Sequence, residues 1–188
     1  PPGSALLMST VVELAEPTPT LPMAVGLAAL LPLQRAVSAL ALKWPNDIVV
    51  PVSESDPFKL GGIVIALNGP FAIVGIGINV SMTSAELPVE LASSVLLEGG
   101  KPERAALLVA LLAALRTRLA QWRDDDPRLM ADYRHLCRTI GRLVDVALPN
   151  GAELSGLVAG VDDSGHLLVT DGESTTIVTA GDVVHASI

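Results

Sequence analysis

Cysteine, aromatic rings and basic charge are all scarce in this sequence. Its 188 residues contain one cysteine, Cys137, which excludes an intramolecular disulfide and a thiolate metal cluster and points to a reducing, cytoplasmic setting. Two Trp, one Tyr and two Phe are the only aromatics, so the core must be built from many small aliphatic contacts. Twelve Lys and Arg stand against 20 Asp and Glu, a net charge of −8. That balance argues against a nucleic-acid binder, which needs a basic face to neutralise phosphates. A polyanionic ligand would have to be met by a local positive pocket inside a negative field. Long hydrophobic runs are missing too: the longest, 105–115, falls short of the ~20 residues a bilayer requires and leads into Arg116 and Arg118. No signal peptide and no membrane span is read, and the apolar stretches 21–42 and 105–115 are read as buried helices. Disorder is excluded by what is abundant, since half the residues are apolar and mean hydropathy is +0.53.

Along the chain, the β-branched run Leu6–Leu14 predicts a buried strand closed by a turn at 16–19. Pro22 suits the first turn of a helix reaching about Leu40, disturbed at Pro32. Leu40–Val50 reads as a strand broken by the Trp44-Pro45-Asn46-Asp47 turn, and 53–58 as a polar loop. Leu60–Leu67 and Ala72–Val80 form a hairpin across Asn68-Gly69-Pro70. After a loop over 81–100 holding one short helical turn, Pro102-Glu103 opens a helix to about Arg123, and a second spans Pro127–Cys137. The pattern then changes: five short strands with Asn150-Gly151, Gly165, Gly172 and Gly181 turns predict a small β-barrel. The boundary lies near residue 140.

Three segments could carry chemistry. Lys43 ends an apolar strand and is followed by a rigid Trp-Pro turn and two short polar side chains, Asn46 and Asp47. This is either an anion or phosphate site, or a lysine that reaches solvent beside an ordinary turn. Lys59-Leu60-Gly61-Gly62-Ile63 permits close backbone approach to a ligand or to a neighbouring strand. In Gly75-Ile76-Gly77-Ile78-Asn79, alternation places Gly75, Gly77 and Asn79 on one strand face. The two glycines make a flat floor there, and Asn79 can read an amide or a purine edge. It is not a dinucleotide fingerprint, because the third glycine and the following helix are missing. His135, His166 and His185 are scattered without metal-ligand spacing, and Asp124-Asp125-Asp126 reads as a solvated loop.

Taken in order, these segments resemble bacterial biotin–protein ligases. The resemblance is carried by Lys43-Trp44-Pro45-Asn46-Asp47, Lys59-Leu60-Gly61-Gly62-Ile63 and Val74-Gly75-Ile76-Gly77-Ile78-Asn79-Val80, and extends to Ser4, Ser9, Trp122, Asp132-Tyr133 and Ala180–Val184. It implies an α+β fold: a mixed β-sheet with packed helices over residues 1–139 and a small SH3-like barrel over 140–188. The implied reaction joins biotin to ATP as biotinyl-5′-adenylate, then passes the biotinyl group to a lysine of a biotin carboxyl carrier domain. On this resemblance Lys43 binds the biotin carboxylate and neutralises charge at the α-phosphate. Asn46 and Asp47 support the turn and Lys59 lies near the nucleotide phosphates. Gly61 and Gly62 admit biotin, and Gly75, Gly77 and Asn79 floor the adenine. Mg²⁺ accompanies ATP without a protein-built metal site, and relatives that pair through their sheets allow a homodimer.

Two departures stand out. The family's glycine- and arginine-rich loop over biotin, expected ahead of Pro1, is not in this sequence, and Ala66 replaces the usual Glu. They leave open a catalytically impaired relative that binds only nucleotide or carrier domain. A lipoate-transferring relative is disfavoured by the intact Lys43–Asp47 string and the C-terminal barrel.

Overall fold

The computed structural model describes residues 1–14, 19–52, 56–101 and 103–185. Residues 16–18 of the expected turn, 53–55 of the expected loop and Pro102 at the expected helix start lie outside them. β1 (Ala5–Glu13) enters at one edge of the larger sheet, and α1 (Leu21–Leu33) carries the chain across to the other edge. From there β2 (Ala41–Lys43), β3 (Asp47–Val50), β4 (Phe58–Asn68) and β5 (Phe71–Asn79) meander back to pair with β1, giving the order β1-β5-β4-β3-β2. The long ladders are antiparallel, and isolated parallel bridges join Leu42 to Cys137 and Lys59 to Ala92.

Period-two patterning decides the faces of this sheet. Ile63, Ile76, Ile78, Val74 and Ala72 are buried on the inner face, while Leu7, Val11, Val64 and Ile73 face outward. α1 is buried on nearly every side. Gly26 brings it down onto the sheet, because a Cβ there would lie 3.2 Å from Leu42 Cδ2. Each fully buried Leu of this helix contributes about 1.5–3 kcal/mol. The helix stops at Leu33 rather than near Leu40: Pro32 supplies no N–H to the ladder, and the chain continues through Gln34–Val37 as turns closed on Leu30, Pro32 and Leu33 carbonyls.

α2 (Arg104–Arg123) and α3 (Pro127–Leu136) lie behind α1. The expectation of a buried helix over 105–115 is corrected here. Only Leu111, Ala114, Leu115 and Trp122 of α2 are buried, whereas Val109 is 69% and Leu112 50% exposed. By length and composition alone α2 would suffice to cross a membrane; here its one buried stripe packs on α1. The acidic triplet before α3 also has a task, since Asp126 caps the helix by accepting from Arg128 N at 3.0 Å.

The C-terminal sheet orders β6 (Leu143–Ala147), β7 (Glu153–Val161), β8 (Leu167–Thr170), β9 (Thr175–Val178) and β10 (Asp182–His185) as β10-β6-β7-β8-β9, antiparallel throughout. Gly151 turns the first hairpin at φ +81°. One contiguous hydrophobic core runs through both sheets, from Leu6 to Val183. Trp44, buried at the β2–β3 turn, stitches them together: its Nε1–H donates to Gly165 O at 2.9 Å and its backbone N–H to Thr139 Oγ1 at 3.0 Å.

Candidate functional site

Sheet register builds the site. Lys43 pairs with Asp47, Asp47 with Gly62, Gly62 with Gly77 and Gly77 with Leu7. Directly paired residues share a face, so these five form one row across the outer side of the sheet. The parallel row Val64, Gly75 and Ser9 runs beside it. Over these rows lies a cleft of about 460 Å³, lined among others by Asn46, Asp47, Lys59, Gly62, Gly75 and Gly77. Six of the nine residues singled out from the sequence therefore converge on one surface.

Its polar wall is ordered by short contacts. Lys59 Nζ lies 2.6 Å from Asp47 Oδ1, with the lysine half exposed and the aspartate largely buried. Asn46 clips the β2–β3 turn to β4, donating through Nδ2 to Ile63 O at 2.7 Å and accepting from Ile63 N at 2.9 Å. Gly62 leaves space for the ion pair, because a Cβ would sit 3.3 Å from Asp47 Oδ1 and 3.2 Å from Lys59 Cε. Gly75 and Gly77 differ: a Cβ would meet nothing closer than 3.7 Å at the first and 3.5 Å at the second. Packing does not demand bareness there, and the open floor is available to a flat ligand.

The other three residues lie outside the cleft. Gly61 is a packing glycine, since a Cβ would stand 2.5 Å from Gly77 O. Asn79 gives its side-chain N–H to Ser93 O at 3.0 Å and holds the loop after β5. Lys43 sits at the end of the cleft row, its side chain only 15% exposed, and donates to Asp56 Oδ1 at 3.2 Å. It is mostly covered rather than extended into solvent. Ala66 lies on the outer face of β4 beyond Val64 and outside the cleft.

Asp56 is not marked by any sequence motif, and His185, one of the three scattered histidines, joins it here. The Asp56 Oδ1 atom that accepts from Lys43 also accepts from His185 N at 3.1 Å and lies 3.9 Å from His185 Nδ1. Burial first, then the Lys43 charge, pushes the His185 pKa down to about 4, with Arg142 and Arg138 acting the same way and Asp56 opposing. The ring is therefore neutral near pH 7. No local motif announces this pair, because 129 residues separate its members. A second cleft, also about 460 Å³, lies between the end of α1 and the start of α2 and holds none of the sequence candidates. Among the described residues, no group of three or more His, Cys, Asp or Glu could hold a metal ion.

Comparison with known proteins meets this geometry at both ends of the chain. Residues 139–186 match the family described as biotin protein ligase C terminal domain, whose fold is the SH3-like barrel. The biotin–[acetyl-CoA-carboxylase] ligase of Mycobacterium tuberculosis (strain ATCC 25618 / H37Rv) is 39% identical over 144 residues. This chain is a relative of the biotin protein ligases. The match covers 77% of the chain and 52% of the mycobacterial protein, so the chain spans about half the length of that curated relative. The crystal structure of biotin protein ligase from Aquifex aeolicus superposes with a TM-score of 0.84 at 22% identity, covering 97% of this chain and 83% of that one. The same Aquifex protein in complex with biotin and ATP gives 0.82 at 22%, covering 98% and 79%. At that identity the likeness concerns the fold: an α+β arrangement of a helix-backed sheet and a small C-terminal barrel.

Proposed function

We propose that this chain carries the biotin- and nucleotide-binding core of a biotin protein ligase, an enzyme that forms a carbon–nitrogen bond. Residues 1–139 form the catalytic unit and 140–188 the appended barrel. The observation that carries the reading is the outward row Lys43–Asp47–Gly62–Gly77, a bare floor with a cation at one end. The curated relative's name and the Aquifex complex with biotin and ATP supply the substrates. The acceptor is a lysine of a carboxylase's biotin carboxyl carrier domain, and the setting is cytoplasmic.

In this reading the biotin carboxylate attacks the α-phosphate of ATP, an acyl–phosphate bond forms as pyrophosphate leaves, and biotinyl-5′-adenylate results. A carrier lysine, as the neutral amine, then attacks the acyl carbon and AMP departs. Catalysis is by position and charge. Lys43 provides a point charge that can follow charge growing on the α-phosphate without bidentate geometry. Lys59 lies where the phosphates run, with Asp47 holding it and Asn46 fixing the turn. Gly62 admits the biotin ring, Gly75 and Gly77 lie flat under the base, and Gly61 and Asn79 shape the strand ends. Mg²⁺ arrives with ATP and is held mainly by its phosphates.

A binding-only relative is the second reading, favoured by the Lys43–Asp56 pair, which already answers the charge an α-phosphate would need. Biotin-dependent exchange of pyrophosphate into ATP separates the two. Exchange that Lys43→Ala lowers more than tenfold supports the ligase; no exchange, with a biotinyl-adenylate mimic still bound, supports the binding protein.

A further inference from the structure

Lys43 and Asp56 are both largely buried, at 15% and 16% exposure, and one carboxylate oxygen serves two masters. Oδ1 accepts from the Lys43 ammonium at 3.2 Å and from the His185 backbone N–H of β10 at 3.1 Å. A buried ammonium needs a partner, and removing that partner is costly. Asp56 is the side-chain partner of Lys43 in this structure. An ammonium has three donors, so one bond to Asp56 leaves two for an anion in the adjoining row of Gly62 and Gly77. The His185 ring closes the far side and is itself buried. Turning the ammonium away would break its bond to Asp56, and moving Asp56 would break the bond that ties the end of β10 to this site.

We propose that Asp56 is a positioning residue for Lys43, holding its ammonium at the end of the cleft and making that orientation depend on the seating of β10. The proposal rests on the reading that the cleft takes biotinyl-adenylate. It deepens that reading by giving the C-terminal sheet a role in the first half-reaction: a displaced β10 disarms Lys43 even though none of its residues lines the cleft.

A double-mutant cycle tests it. A non-hydrolysable biotinyl-adenylate mimic is titrated by calorimetry into the unmodified chain, Lys43→Ala, Asp56→Asn and the double variant, each checked for folding by thermal unfolding. Asparagine keeps the shape and the acceptor for His185 N–H while removing the charge. Expected are losses of about tenfold for each single variant, with the double variant within about twofold of Lys43→Ala, because Asp56 acts only through the lysine. Full binding by Asp56→Asn, or losses that multiply, overturns the proposal and leaves the ligase reading standing. If the unmodified chain binds no mimic, or Lys43→Ala binds as well as it does, the reading itself falls and the proposal with it. Should Asp56→Asn fail to fold, Asp56→Glu carries the same cycle, since it keeps the charge but displaces the ammonium.

Discussion

Gly61 and Gly77 face each other's strands, one on β4 and one on β5, yet their missing side chains have different causes. At Gly61 the neighbouring backbone occupies the space, with Gly77 O 2.5 Å from where a Cβ would lie. At Gly77 the nearest atom is the tip of the exposed Leu7 side chain at 3.5 Å. Gly61→Ala is therefore expected to force the strands apart and cost about 1–3 kcal/mol, read as a lower denaturation midpoint. Gly77→Ala is expected to unfold within about 0.5 kcal/mol of the unmodified chain and to weaken the biotinyl-adenylate mimic at least fivefold. A stable Gly61→Ala with weakened binding would assign the ligand contact to the wrong glycine. Both residues read alike in the sequence, as glycines within apolar strands. Only strand pairing tells them apart.

Among elements, the Trp44 turn has the widest reach. It joins β2 to β3, and through Nε1 it also holds the Gly165 turn of the C-terminal sheet. Trp44→Phe removes that donor and leaves Gly165 O unpaired beside a smaller ring. The expected cost is about 1–3 kcal/mol, with earlier hydrogen exchange in β8 than in β5; equal loosening of both strands would show that the turn does not couple the sheets. Most elements were legible beforehand because period and turn chemistry are local. Asn150-Gly151 and Asn68-Gly69 announce their hairpins, and Pro127 announces α3, whereas the cap at Asp126 appears only in the fold. The end of α1 was not, because the apolar pattern runs on past Pro32 and only the packing shows the chain leaving the helix at Leu33. The exposure of α2 was equally hidden: an Ala- and Leu-rich helix has the same composition whether one side or all sides are covered.

For the molecule as a whole, the continuous core implies a shared stability that acid can probe at one residue. His185 is neutral in the folded state, with a pKa of about 4 against an ordinary 6.5. Above pH 6.5 the ring is neutral folded or unfolded and has no effect. As pH falls from 6.5 toward 4 the unfolded chain takes up the proton first, and stability declines by an amount of order 1 kcal/mol. Lys43, Arg142 and Arg138 oppose protonation of the folded ring and Asp56 favours it, so the decline deepens if Asp56 is neutralised. Denaturant midpoints from pH 4 to 7 should flatten in His185→Phe over this window, and the difference between the two profiles isolates the histidine from the carboxylates. Profiles that run parallel would place His185 in water.

The period of the apolar residues, the turn glycines and the Lys43–Asp47 string determined most strands, the presence of the helices and the family likeness, because each depends on neighbours in the chain. Which of those residues meet was decided only by the folded sheet. Register aligned Lys43, Asp47, Gly62 and Gly77 in one row and turned Gly61 away from it, while Asn79 is engaged by Ser93 outside the cleft. The segment leading into β4 put Asp56 beside the lysine, and the end of β10 brought His185 to the same carboxylate. The physical reason is distance along the chain: a contact across 129 residues leaves no periodic trace, and it exists only once the core between the two sheets has closed.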